Sequence, residues 1–260
     1  MSFFSDISAI QNIVYIFSSI LFISGIKMLG KEDTAVRGNF LSASAMFIAF
    51  AVTIINVVNP VIVLIGVSIG AVIGSLIALR VKMTSIPEMV ALFNGFGGLA
   101  TFFIAWSEFN AIPDNVFQFI VIMLTTYIGG VTFSGSIIAY GKLSEKLKVK
   151  KDSFVTKIFT TFFYASILFL VYSIGFTEII ELPINFYTVL LILTLLGGIG
   201  FVIPIGGGDM PVVISLLNSF SGIAAAFAGL LLLNNVLIVA GSLVGASGLI
   251  LTIIMAKAMN

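Results

Sequence analysis

The sequence predicts an all-α fold, a polytopic bundle of about nine membrane-spanning helices with its N-terminus outside and its C-terminus in the cytoplasm. Three observations predict it. The 260-residue chain is 60% hydrophobic and only 9% charged, whereas an ordinary soluble domain carries about 25% charged residues. Its apolar residues fall in runs long enough to cross a bilayer, which takes about 20 residues per helix. Its basic residues cluster in alternate connections between those runs. The runs are too long and too uniformly apolar for the alternating, roughly 10-residue strands of an outer-membrane barrel. In lipid, backbone groups must be satisfied internally, and such runs achieve this as helices.

In chain order, the first two runs are 7–29 and 37–58. Asn59-Pro60 breaks the chain before 60–80, and Pro87 opens 87–106. Ile112-Pro113-Asp114 precedes 115–141, the lysine-rich connection precedes 154–174, and Leu182-Pro183 precedes 184–204. Gly206-Gly207-Gly208-Asp209-Met210-Pro211 leads into 210–232. Asn234-Asn235 is so short a break that 235–257 must fold back as a tight hairpin. Proline and glycine at these breaks remove donors or relax the backbone where helices stop and start. The whole, 1–260, is expected to form a single transmembrane domain.

Charge placement tests the count. Lys27, Lys31 and Arg37 lie at the first connection, and Arg80 and Lys82 at the third. Lys142, Lys146, Lys148, Lys150, Lys151 and Lys157 lie at the fifth, and Lys257 at the C-terminal end. The even connections carry no Lys or Arg; the fourth and sixth hold Glu108, Asp114, Glu178 and Glu181. The positive-inside rule then places the odd connections in the cytoplasm. An error of one helix would scramble this alternation.

The chain has no Cys and no His. Disulfides, thiolate metal sites and cysteine nucleophiles are excluded. So is the side chain that most readily exchanges protons near neutral pH. The start is acidic, with Asp6, and its apolar run is long, unlike a cleaved signal peptide.

Ionisable groups within a membrane are functional candidates. Glu88 follows Pro87 at the start of the fourth helix, and Asp209 opens the eighth. Either carboxylate also suits a helix N-terminus through its dipole. Deeper lie Asn94, Ser134 and Ser136, and Asn218 followed by Ser219 and Ser221. Such groups serve either as interhelical hydrogen bonds or as the lining of a hydrated path for protons. Gly66, Gly70 and Gly74, and Gly241 and Gly245, recur every four residues and mark close helix packing. The clusters Gly95-Phe96-Gly97-Gly98 and Gly197-Gly198-Ile199-Gly200 are read the same way. Gly206-Gly207-Gly208 lacks the Gly-Lys-Ser/Thr ending and strand context of a phosphate loop.

Several segments together carry a resemblance. Gly207-Gly208-Asp209-Met210-Pro211-Val212-Val213 runs on to Leu217-Asn218-Ser219-Phe220-Ser221-Gly222. Then come Gly241-Ser242-Leu243-Val244-Gly245-Ala246-Ser247-Gly248 and Met255-Ala256-Lys257-Ala258-Met259-Asn260. Upstream stand Pro87-Glu88-Met89-Val90-Ala91, Val131-Thr132-Phe133-Ser134-Gly135-Ser136 and Gly141-Lys142-Leu143. This set resembles the membrane domain of the β subunit of proton-translocating NAD(P) transhydrogenase, over nearly the whole chain.

The resemblance implies a subunit of an enzyme that couples hydride transfer between NADH and NADP+ to proton movement across the inner (cytoplasmic) membrane. It implies that NAD(H) and NADP(H) bind to partner domains and that no cofactor or metal sits on this chain. The implied partners are the α subunit with its NAD-binding and membrane parts, the NADP-binding domain III, the lipid bilayer and a second copy of the complex, with no nucleic acid. Asn94, Ser136 and Asn218 would line the proton path. Asp209, Gly207, Gly208 and Glu88 would couple to the NADP domain. Members of the family often carry a membrane histidine at the position of Asn94, so a companion subunit is expected to supply the titrating group. The family continues into the NADP domain beyond the position of Asn260. Without the resemblance, a secondary transporter of a small solute or a membrane assembly subunit fits the residues as well.

Overall fold

The computed structural model describes residues 2–111, 113, 115–149, 153–175 and 184–259. Among these are nine α-helices and no strand. They are α1 (Ser2–Leu29), α2 (Glu32–Thr53), α3 (Pro60–Arg80), α4 (Ile86–Asn110), α5 (Val116–Leu143), α6 (Phe154–Gly175), α7 (Ile184–Val202), α8 (Met210–Leu231) and α9 (Asn235–Met259). Among the described residues, eight of these helices are long and apolar enough to cross a membrane, and α7 adds the apolar stretch Phe186–Val202.

Most helix ends fall close to the expected ones, and α2 departs furthest. It starts at Glu32 and ends at Thr53, where the apolar run predicts 37–58. Glu32 and Asp33 occupy its first turn, where carboxylates favour the positive end of the helix dipole. Arg37 therefore lies inside the helix. At its other end a 3-10 turn, Ile54–Asn56, leads to Asn59, whose Oδ1 accepts from the Ile62 N–H at 3.4 Å and caps α3. The breaks expected at Ile112-Pro113-Asp114 and Leu182-Pro183, with Glu178, Glu181, Lys150 and Lys151, lie wholly or partly outside the described residues.

Contacts divide the chain into two units, Met1–Lys82 and Met83–Asn260. In the first, α1 and α2 form a hairpin. A Cβ built on Gly38 would stand 2.7 Å from the Gly25 carbonyl oxygen, so only glycine permits this approach. Ser18 Oγ donates to Ala45 O at 2.8 Å, and Gln11 Nε2 to Val52 O at 3.0 Å, along the same seam. Within this unit α3 buries no residue, and its Gly66, Gly70 and Gly74 face meets nothing.

The second unit is three hairpins, α4–α5, α6–α7 and α8–α9, assembled around α5. Half of the residues of α5 are buried, among them Thr125, Thr126, Thr132, Ser134 and Ser136. Glycines set the spacings. A Cβ on Gly98 would lie 2.9 Å from Gly129 O, and one on Gly129 2.9 Å from Gly98 O, so α4 and α5 cross backbone to backbone. A Cβ on Gly241 would lie 2.7 Å from Gly222 O, bringing α9 equally close to α8. Gly197 faces Ser166 of α6, and Gly200 faces the Phe159 carbonyl.

Two apolar cores cap this unit. Ala91, Ala139, Val202, Met210, Val213, Ile214 and Leu217 pack near the end that carries Lys142 and Lys257. Ala105, Phe119, Ile122, Met123, Leu170, Tyr187 and Leu190 pack near the other. In the second core Phe109 stacks on Tyr187 with ring centroids 3.7 Å apart, and Tyr187 Oη pairs with Thr126 Oγ1 at 2.7 Å. Stacking and a partnered hydroxyl let a large polar-tipped ring sit fully buried.

Candidate functional site: a polar node across three helices

Between the two apolar cores, three helices contribute one polar side chain each. Asn94 lies about two turns into α4. Its Nδ2 donates to Ser136 Oγ on α5 at 3.0 Å. Ser221 Oγ on α8 donates to Asn94 Oδ1 at 2.8 Å and lies 3.4 Å from Asn94 O. Ser136 is fully buried, and Asn94 and Ser221 are half-buried.

The sequence builds this node locally. Gly95, next to Asn94, lets α5 come close: a Cβ there would stand 3.1 Å from Ser136 Cβ. Gly222, next to Ser221, seats α8 against α9 and leaves Ser221 turned toward α4. Carboxamide and hydroxyls each hold both a donor and an acceptor. One Asn94 N–H and the Ser136 O–H remain available as donors among the described residues. One turn along α5, Thr132 Oγ1 is buried with no partner among the described residues. It faces α4, where a Cβ on Gly98 would meet Thr132 Cβ at 2.9 Å. The node thus has spare hydrogen-bonding capacity inside the helical unit.

The expected trio is therefore brought together only in part. Asn94 and Ser136 meet directly. Asn218 does not join them: it is exposed on α8 and makes no hydrogen bond among the described residues. Ser221, three residues on, takes that place. Its signal in the sequence is its spacing from Met210, Ile214 and Leu217, which share the buried face of α8. Ser215 and Ser219 face α9 instead; Ser219 Oγ donates to Gly245 O at 2.6 Å and Ser215 Oγ to Gly248 O at 3.3 Å.

The carboxylates lie at the start of helices at the Lys142 end. Glu88 is half-buried in the first turn of α4. Asp209 ends a 3-10 turn, Gly207–Asp209, and occupies the N-cap position of α8 without a side-chain capping bond. Neither carboxylate has a hydrogen bond or ion pair among the described residues. Asp209 is exposed and borders a cleft of about 280 Å³ with Val212, Val213, Ala256 and Met259. Gly207 and Gly208 have open space around them. The Asp209 carboxylate is free to meet a group outside the described residues.

Large apolar side chains cover the exterior, among them Leu79 at 85% exposure, Leu168 at 71% and Ile254 at 58%. Water does not tolerate so much exposed apolar surface, and lipid does. Fold and node together define a multi-pass α-helical membrane protein with a polar centre inside one helical unit. Residues 11–260 match the family described as NAD(P) transhydrogenase beta subunit. Two relatives named NAD(P) transhydrogenase subunit beta, one from Rhodospirillum rubrum and one from a named strain of it, are each 36% identical over 258 residues, covering 95% of this chain and 55% of their own length. The chain belongs to the NAD(P) transhydrogenase beta subunit family. It spans about half the length of the curated relatives it matches.

Proposed function

We propose that this chain is the proton-translocating membrane module of a transhydrogenase, coupling proton movement to hydride transfer between NADH and NADP+. The observation that carries this reading is the Asn94–Ser136–Ser221 node, set between two apolar cores of a chain in this family. NADH and NADP+, held on partner domains, supply the hydride chemistry. This chain's residues supply the passage. Asn94 does not take up a proton near neutral pH. Its amide orders water through one donor and one acceptor, while Ser136 and Ser221 relay hydrogen bonds between helices. Thr132 extends the polar seam away from the Lys142 end. Asn218, exposed on α8, lines the path from its far side, facing a helix of a companion subunit that carries the titrating group.

Asp209, Gly207, Gly208 and Glu88 form the coupling end, which the NADP-binding domain III contacts. The alternation of basic residues supports a cytoplasmic coupling end and an N-terminus outside, and membership of the family supports a location in the inner membrane. The α subunit, with its NAD-binding and membrane parts, completes a complex that pairs as a dimer. The test is Asp209→Asn in the assembled complex, with proton flux and hydride transfer measured together. The expected result is a fall in proton flux per hydride transferred; an unchanged ratio overturns the coupling role.

A further inference from the structure

The end of α7 is closed by a side chain from α5. Lys142 stands in the last turn of α5. Its Nζ donates to Ile203 O at 2.5 Å, Ile205 O at 2.6 Å and Val202 O at 3.3 Å. An ammonium has three N–H donors, so the set is fully used. The accepting carbonyls belong to the last residue of α7 and the residues just beyond it. Such carbonyls have no partner within their own helix and sit at the negative end of its dipole. A cation is the matching cap.

Ile203 is buried, and the Ile203 and Ile205 N–H groups donate to Ile199 O at 2.9 Å and Val202 O at 3.1 Å; beyond Ile205 the chain is thinly held. Asp209 N–H donates to Gly206 O at 3.2 Å within the connection itself. A Cβ built on Gly207 or Gly208 would meet no atom within 4 Å, and Asp209 makes no side-chain bond among the described residues. Among those residues, Lys142 is the one side chain that hydrogen-bonds to the α7–α8 connection. It also walls a cleft of about 310 Å³ together with Lys148, Ile205, Gly206 and Gly207.

We propose that Lys142 is a positioning residue that latches the α7–α8 connection to α5 and so fixes where Asp209 stands. The same helix carries Ser136 of the polar node. A load on the glycine connection therefore pulls on α5 through three charge-assisted hydrogen bonds, which are stronger than neutral ones. The contribution to coupling rests on the function proposed above; the latch does not.

The chain has no cysteine, so a Cys placed at Gly207 takes a single nitroxide label in this subunit. The label's electron paramagnetic resonance spectrum is recorded in the assembled complex, with partner cysteines replaced, for Lys142, Lys142→Met and Lys142→Arg. Loss of the charged bonds should raise the ratio of mobile to held label roughly tenfold in Lys142→Met, with Lys142→Arg restoring most of the held signal. In complexes that keep Gly207, proton flux per hydride transferred should fall in Lys142→Met and recover in Lys142→Arg. An unchanged spectrum in Lys142→Met overturns the latch. A released label with an unchanged ratio overturns its part in coupling. A parent complex that moves no protons while the label is released overturns the proposed function and leaves the latch standing. If Lys142→Met does not assemble, Lys142→Gln, which removes the charge and keeps two donors, is read by the same criteria.

Discussion

Ser221 Oγ donates to Asn94 Oδ1 at 2.8 Å, tying α8 to α4 across 127 positions of sequence. The same amide donates through Nδ2 to Ser136 at 3.0 Å. Asn94 is thus the hub, an acceptor toward α8 and a donor toward α5. Removing either serine leaves part of a half-buried amide unpaired.

Ser221→Ala and Asn218→Ala should therefore differ in stability although they are one turn apart. The first should destabilise the subunit by about 0.6 kcal/mol, the average for hydrogen bonds between membrane helices, and by no more than about 1.7 kcal/mol. The second should change stability by less than about 0.5 kcal/mol, as expected for an exposed side chain with no bond to lose. Thermal unfolding in detergent, followed through the fluorescence of the single tryptophan, Trp106, measures both. Equal losses would show that Asn218, not Ser221 alone, supports the node.

Gly98→Ala and Gly97→Ala separate packing from helix propensity. A Cβ at Gly98 meets the Gly129 carbonyl oxygen at 2.9 Å, a backbone atom that moves only with its helix. Prising α4 from α5 should destabilise by about 1–3 kcal/mol. At Gly97 a Cβ meets nothing within 4 Å. There alanine should be neutral or stabilising by up to about 1 kcal/mol, since it is the better helix former. The same unfolding measurement decides.

Thr132→Val removes a buried hydroxyl that has no protein partner among the described residues, at nearly constant shape. Thermal stability should hold or rise, by up to about 1–3 kcal/mol if the hydroxyl is unsatisfied. The proposed path has water on that hydroxyl, so coupled proton flux should fall several-fold, and Thr132→Ser should restore it. Flux unchanged in Thr132→Val would remove this position from the path.

Much of the fold was legible because lipid imposes a length. Runs of about 20 apolar residues can do little but cross the bilayer as helices. The expected bounds 60–80 and the observed α3 (Pro60–Arg80) coincide, since Pro60 starts the helix and Arg80 ends it. For α2 the acidic pair Glu32–Asp33 moved the start, because the polar first turn extends the helix beyond its apolar run. Among packing glycines, Gly98, Gly222 and Gly241 lie in tight crossings, while Gly97 meets open space. Spacing alone does not say which side of a helix has a neighbour.

The sequence by itself determined the class of protein, the helices, the charge alternation and the resemblance to its family. It also placed Asn94 and Ser136 at depths where they meet. Only the tertiary structure decided that Ser221 rather than Asn218 completes the node, and that Lys142 reaches across to close α7. The physical reason is rotation. Residues three apart on a helix differ by about 60° around its axis. Which of them faces inward is set by how the helix is clamped, here by Gly222 against Gly241 and Gly245 of α9. Such a clamp forms only when distant segments pack.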